Sequence, residues 1–408
     1  MRIRIPTINW YRIDSVFILF CLIWSYQLFG FFRGICLHLP GIKLIAPYIY
    51  PVLIVFFTLL SLPQILRKVR KVDLLFFLFG LIIYTSTFLF FPDNTESLLK
   101  YIPVFIFTAL PCFFLGIILE EKCYEKSFYL LSLLTIFAMA GYYLVFVQAS
   151  NYSGSFGEDA VNDNMAAAYG ILPHLLLVIW MTLRKMNLLN VCMSIGGFFV
   201  LFTFGTRGPL LLSSLFILYY LFFEKKSKNK FLILILLLAL VVIVFIYLDY
   251  ILFFLYRLSS DMGMSVRIIE KIATDELTYS AGRNALYGET IQRILDGGIF
   301  GYGIRGISSF STAPYTHNLL LDFWLDFGIL FGSIYIILML ILYVLGWKNA
   351  KNEGERTCLV FLLIMGPLHL MLSHTYLTCG YLFCSFGYCL YLIRHSHSIH
   401  DTKQSKSF

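Results

Sequence analysis

The chain has 408 residues, of which 59% are hydrophobic and only 13% charged, and its mean hydropathy is +0.81. Soluble domains carry about a quarter charged residues and less than half apolar ones, so this composition excludes a string of ordinary soluble domains, and length counts membrane spans instead. The net charge of +8 raises the question of nucleic acid, which the placement of that charge answers below.

Apolar runs follow one another at about 13–32, 44–63, 72–91, 98–119, 127–147, 164–182, 188–204, 208–223, 231–256, 318–346, 356–374 and 376–393. A helix needs roughly 20 such residues to cross about 30 Å of hydrocarbon. The pattern predicts an all-α, polytopic membrane protein with about twelve transmembrane helices, read as a single integral membrane domain over 1–408. The first run lacks a small-residue cleavage pattern, so no cleavable signal peptide is expected.

The connecting segments alternate in charge. One set contains "MRIRIPTINWYR", "RKVRK", "EEKCYEK", "RKMN", "EKKSKNK", "WKNAKNEGER" and the tail from Arg394, and it holds 21 of the 31 Lys and Arg. The other set contains "PDNTES", "QASNYSGSFGEDAVNDN" and one long polar loop. The positive-inside rule puts both termini in the cytoplasm and the second set outside. The excess charge is therefore a topology signal, and a nucleic-acid partner loses its support.

The long loop, 257–317, lies between spans 9 and 10. Its six basic residues (Arg257, Arg267, Lys271, Arg283, Arg293, Arg305) balance six carboxylates, so anion recognition there falls to individually placed arginines. It holds no cysteine, which removes a disulfide framework, and the five-residue spacing of Cys379, Cys384 and Cys389 fits no zinc site. Within the loop, "RNALYGETIQRILD" spaces Tyr287, Ile291, Ile294 and Leu295 along one side of a helix. That predicts an amphipathic helix lying on the membrane or over the bundle.

Several polar residues sit where insertion does not need them. Arg207 lies in "FTFGTRGPLLLSS", where a Gly/Pro turn leads into a helix start. Such a turn offers backbone N–H groups and a guanidinium to an anion such as phosphate, or else merely lets an arginine snorkel. Arg283 opens the amphipathic helix, and Arg305 lies in the glycine-rich "GYGIRG"; Arg257, Arg267 and Arg293 read as solvated. "GYGIRG" formally fits a dinucleotide fingerprint, but no parallel strand precedes it. Its glycines instead let the backbone turn sharply or approach a ligand closely.

His317 and Asn318 stand where this loop becomes a helix, and Asn318, Asp322 and Asp326 share a face at i, i+4 and i+8. Carboxylates in a first turn suit the helix dipole, whereas a neutral imidazole can take a proton from a hydroxyl. His174 and His369 fall inside spans and read as structural. Asp249 is a candidate cavity residue, and "NDNMAAAYG" reads as a helix cap.

"GTRGPLLL" at an outer hairpin, then "GRNALY", "GIFGYG" and "THNLLLDFWLDFGILFG" in this order, together with the twelve-span layout, resemble the bacterial O-antigen polymerase and O-antigen ligase superfamily. The motifs cover roughly 160–335, and the topology covers the whole chain. The resemblance implies a metal-independent, cofactor-free glycosyl transfer at the periplasmic face of the bacterial inner membrane, from a glycan on undecaprenyl diphosphate. It implies diphosphate binding by Arg207 and Arg283, with Arg305 as a third candidate. The family histidine maps onto His317, which would deprotonate the acceptor hydroxyl and give inversion, and Asn318 joins the substrate-binding set.

Membrane lipids and the lipid-linked oligosaccharide are the partners so implied, and a chain-length regulator is a possible further one. The "GYG…THN" and "HNLLLDFWLDFGILFG" runs favour a polymerase. A ligase transferring polymer to lipid A-core is the alternative, and a flippase or transporter of lipid-linked oligosaccharide is a second. A transporter would more often place ionisable groups at the midplane and show repeated halves.

Overall fold

The computed structural model describes residues 14–25, 46–119, 127–142, 158–203, 207–224, 283–297 and 299–404. Their regular structure is helical throughout, without a strand among them. Lys71–Phe90, Pro92–Ile118, Ala167–Arg184 and Leu319–Asn349 are long and apolar enough to cross a membrane. Ser15–Trp24, Phe128–Gly141 and Leu188–Leu201 are shorter apolar helices, and the run at 231–256 lies outside the described residues. The chain separates into two units, Met1–Lys126 with Ser280–Phe408, and Ser127–Tyr279.

In the first unit the helices are α1 (Ser15–Trp24), α2 (Ala46–Lys68), α3 (Leu74–Phe90), α4 (Thr95–Val104) and α5 (Leu110–Ile118). Helices α4 and α5 are joined by a π-turn over Phe105–Ala109, just after Pro103. A proline cannot donate to the helical ladder, and the wider turn follows it.

The second unit holds α6 (Ser127–Tyr142), α7 (Glu158–Arg184), α8 (Leu188–Thr203) and α9 (Arg207–Tyr219). The first unit resumes with α10 (Arg283–Gly297), α11 (Leu319–Asn349), α12 (Glu353–Leu363) and α13 (Gly380–Gln404). Many outward residues are apolar, as on α3 (Ile82, Leu89, Phe90) and α11 (Ile337, Leu338, Leu340). A surface of this kind suits lipid and is costly against water.

In the second unit His174 is fully buried, 3.1 Å from Ser132 Oγ and stacked on Phe128. The structural reading of this histidine therefore stands. In the first unit α5 and α13 pack backbone to backbone. A Cβ at Gly116 would come within 2.1 Å of the Cys384 carbonyl, and one at Gly387 within 2.0 Å of the Phe113 carbonyl. Small residues at such contacts let membrane helices approach closely.

Two long-range contacts tie the ends of the first unit together. Arg394 binds the buried Asp73 through both terminal nitrogens, joining two segments predicted on one side. Asn94, from "PDNTES", donates to the carbonyls of Tyr302 (2.7 Å) and Ile304 (3.1 Å), joining two segments predicted on the other.

Candidate active site

The site is built where the segment 299–318 folds back on the start of α11. Helix α11 is broken at Gly328, whose φ of 76° and ψ of 170° are not helical. A break there strands the carbonyls of Leu325 and Asp326, which residues 329 and 330 would satisfy in a continuous helix. Tyr302 N–H takes the first at 2.9 Å and Gly303 N–H the second at 2.8 Å.

This docking needs glycine on both sides. A Cβ at Gly328 would lie 2.0 Å from the Ile299 carbonyl, and one at Gly301 only 2.3 Å from the Gly328 nitrogen. Gly301 and Gly303 also take φ values of 67° and 75°, open to glycine at little cost. Where the sequence suggests a sharp turn or a close approach to a ligand, Gly301 and Gly303 meet the protein's own backbone at the break in "LDFG". Thr87 Oγ1 receives Ile304 N–H at 3.2 Å from the end of α3.

The two aspartates hold the loop. Asp326 accepts Gly306 N–H at 2.9 Å through one oxygen and the Tyr376 hydroxyl at 2.7 Å through the other. Asp322 accepts Thr316 N–H at 3.1 Å. Both carboxylates are buried. They are more than a dipole-friendly first turn, because they anchor the two ends of the segment bearing Arg305 and His317.

Asn318 is the N-cap of α11, its side-chain oxygen accepting Leu320 N–H at 3.0 Å and Leu321 N–H at 3.3 Å. Its first observed duty is therefore to start the helix. His317, just before it, has φ 61°. Its carbonyl accepts the Tyr287 hydroxyl at 3.4 Å from α10, and its ring lies 4.4 Å from that of Tyr315. Nδ1 of His317 is buried with no hydrogen-bond partner among the described residues. Burial, and after it the charge of Arg283, pushes the imidazole down to about 4. The ring is thus neutral at pH 7, the form able to accept a proton.

Arg283 opens α10 and donates to the Leu372 carbonyl at 3.1 Å. Arg305 is also left-handed, with φ 67°. It donates to the Pro314 carbonyl and lies over the Tyr101 ring, 5.5 Å from its centre. The structure therefore brings Arg283, Arg305, His317 and Asn318 into one unit around one folded segment.

Arg207 is the exposed first residue of α9 in the other unit, and Gly205 and Thr206 of its turn lie outside the described residues. Arg257, Arg267 and Asp249 also fall outside them. Arg293 is exposed and stacks its guanidinium on Phe310 at 5.4 Å.

Helix α10 forms where predicted, though its buried side differs. Thr290 and Ile294 are covered, with Leu286 and Tyr287 packed against α11. Ile291 and Leu295 point outward.

Sequence reasoning missed Tyr315, Tyr376, Thr87 and Asn94, and passed over His374. The last shares a polar run, "SHTY" at 373–376, that interrupts apolar sequence as "THN" does. The same criterion applied there would have found it.

A helical membrane protein with a broken helix, whose break is plugged by a glycine-rich loop bearing arginine and histidine, is the class that fold and site define. Residues 191–336 match the family model described as O-antigen ligase, consistent with the O-antigen polymerase and ligase superfamily. The matched stretch contains Arg207, Arg283, Arg305, His317 and Asn318 and ends within α11. No curated protein and no solved structure matches the chain.

Proposed function

We propose that the chain is a polymerase of O-antigen or a related surface polysaccharide, moving the growing glycan from undecaprenyl diphosphate to the next lipid-linked repeat unit. The observation that carries this reading is His317. It is a half-buried neutral imidazole with an unpartnered Nδ1, in the field of Arg283, inside the stretch similar to the O-antigen ligase family.

The acceptor hydroxyl oxygen attacks the anomeric carbon as the bond from that carbon to the diphosphate oxygen breaks. The diphosphate leaves with the electron pair, and the hydroxyl proton passes to His317. In-line displacement inverts the anomeric centre. Arg283 and Arg305 stabilise charge growing on the leaving diphosphate. Arg207 is assigned to the same anion on the family motif alone. The activation resides in the lipid diphosphate, so the reaction needs no nucleotide, and the proposal includes no metal.

In this reading the site faces the periplasm from the inner membrane, with both termini cytoplasmic, and the twelve-span topology carries it there. The ligase reading is favoured by the description of the matching family, while the short "GYG…THN" segment and the "HNLLLDFWLDFGILFG" run look more like those of polymerases. Deletion of the gene separates them by product. Loss of a polymerase leaves single-repeat caps, loss of a ligase leaves polymer on the lipid carrier, and loss of a flippase strands single repeats on the carrier inside the cell. A normally expressed His317→Ala variant that still made full-length polymer would remove the assigned base.

A further inference from the structure

Among the described residues three non-glycine positions have positive φ: Arg305 at 67°, His317 at 61° and His374 at 75°. Such conformations persist where the surroundings over-determine them, and they gather at functional sites. Two of the three carry the chemistry proposed above. The third comes from the far end of the chain's apolar sequence, beyond the stretch that resembles the family.

His374 is firmly held. Its Nε2 is 3.1 Å from Thr378 Oγ1, and its ring lies parallel to that of His369 at 5.6 Å, 10° between planes. A second ring contact is with Tyr315, nearly perpendicular at 82° with centroids 6.2 Å apart. Tyr315 in turn lies 4.4 Å from the His317 ring. Edge-to-face pairs at such separations are attractive and directional.

The segment around His374 is pinned to the same site at two further points. Arg283 binds the Leu372 carbonyl, and Tyr376 binds Asp326. The turn between α12 and α13 is thus a wall of the site, and His374 is the ring it presents to Tyr315.

We infer that His374 is a positioning residue, which fixes the plane of the His317 ring by holding Tyr315 against it. The inference rests on the assignment of His317 as the base. What His374 contributes to Tyr315 is an aromatic ring contact, so a phenylalanine should replace it and an alanine should not.

The test uses the full-length protein in lipid nanodiscs with lipid-diphosphate-linked repeat units. His374→Ala is expected to lower kcat by up to about 10²-fold, the scale set by misplacing a reacting group by an ångström, with KM little changed. His374→Phe is expected to restore most of that loss, and Tyr315→Leu to reproduce the alanine variant. In a His317→Ala background, His374→Ala should add nothing.

An unchanged kcat in His374→Ala, or a His374→Phe variant as impaired as the alanine, would overturn the inference. So would an additive loss in the His317→Ala background. If His374→Ala does not fold, Tyr315→Leu and His374→Phe decide it by the same criteria. Wild-type protein inactive on these units would instead refute the polymerase reading on which the inference stands.

Discussion

At the scale of single residues, His317 is the most exacting element. Its proton affinity is lowered first by burial and then by Arg283. With His317 as the proposed base, its replacement by alanine should cost about 10²–10⁴-fold in rate, measurable as polymer formed per unit time. The pH profile is a separate check. Free imidazole titrates near 6.5 and the folded one near 4, so the acid limb of kcat/KM should fall near 4. Bound diphosphate would offset the charge of Arg283, so the acid limb of kcat should lie higher. The same shift makes stability rise with pH between about 4 and 6.5, where the unfolded chain binds the proton and the folded one does not. His317, Arg283 and Arg305 stood out in sequence because the arginines lie at a helix start and in a glycine turn and the histidine lies where a polar loop meets a membrane helix. Tyr315 and His374 were not, because their ring contact joins positions 59 apart and exists only once the chain has folded.

At the scale of elements, the break in α11 organises the site. Hydropathy reads 318–346 as one run, since composition records apolarity and is blind to φ. The glycines of "GYGIRG" were legible as a sharp turn or a close approach to a ligand, but not as the partners of a helix break. Gly328→Ala would force a Cβ into the Ile299 carbonyl at a left-handed position. Overpacking of this sort costs about 1–3 kcal/mol, so the variant should melt lower and lose polymer. Asp326→Asn offers one acceptor oxygen where the carboxylate serves two donors, Gly306 N–H and the Tyr376 hydroxyl. A buried donor left without a partner costs about 1–3 kcal/mol. Tyr376→Phe removes only the hydroxyl donor and should cost less than Asp326→Asn in the same thermal unfolding measurement.

At the scale of the whole molecule, charge alternation was the most legible feature. It puts "PDNTES" and the long loop on one side, and Asn94 meets the carbonyls of Tyr302 and Ile304. It put 67–71 and the tail on the other, where Arg394 meets Asp73. Topology reporters should therefore give the same sign when fused at 93 and at 308, and the opposite sign when fused after 395. The number of spans is less legible, because prolines, π-turns and short helices interrupt apolar runs that composition treats alike. The central claim is glycosyl transfer between lipid-linked repeat units with His317 as base, and one measurement meets it directly. Purified wild-type protein and His317→Ala, at matched levels, are incubated with lipid-diphosphate-linked repeat units and the products sized. Wild type is expected to give a ladder of longer lipid-linked glycans, and the variant single units only. A ladder of equal length from both, or none from wild type, would contradict it.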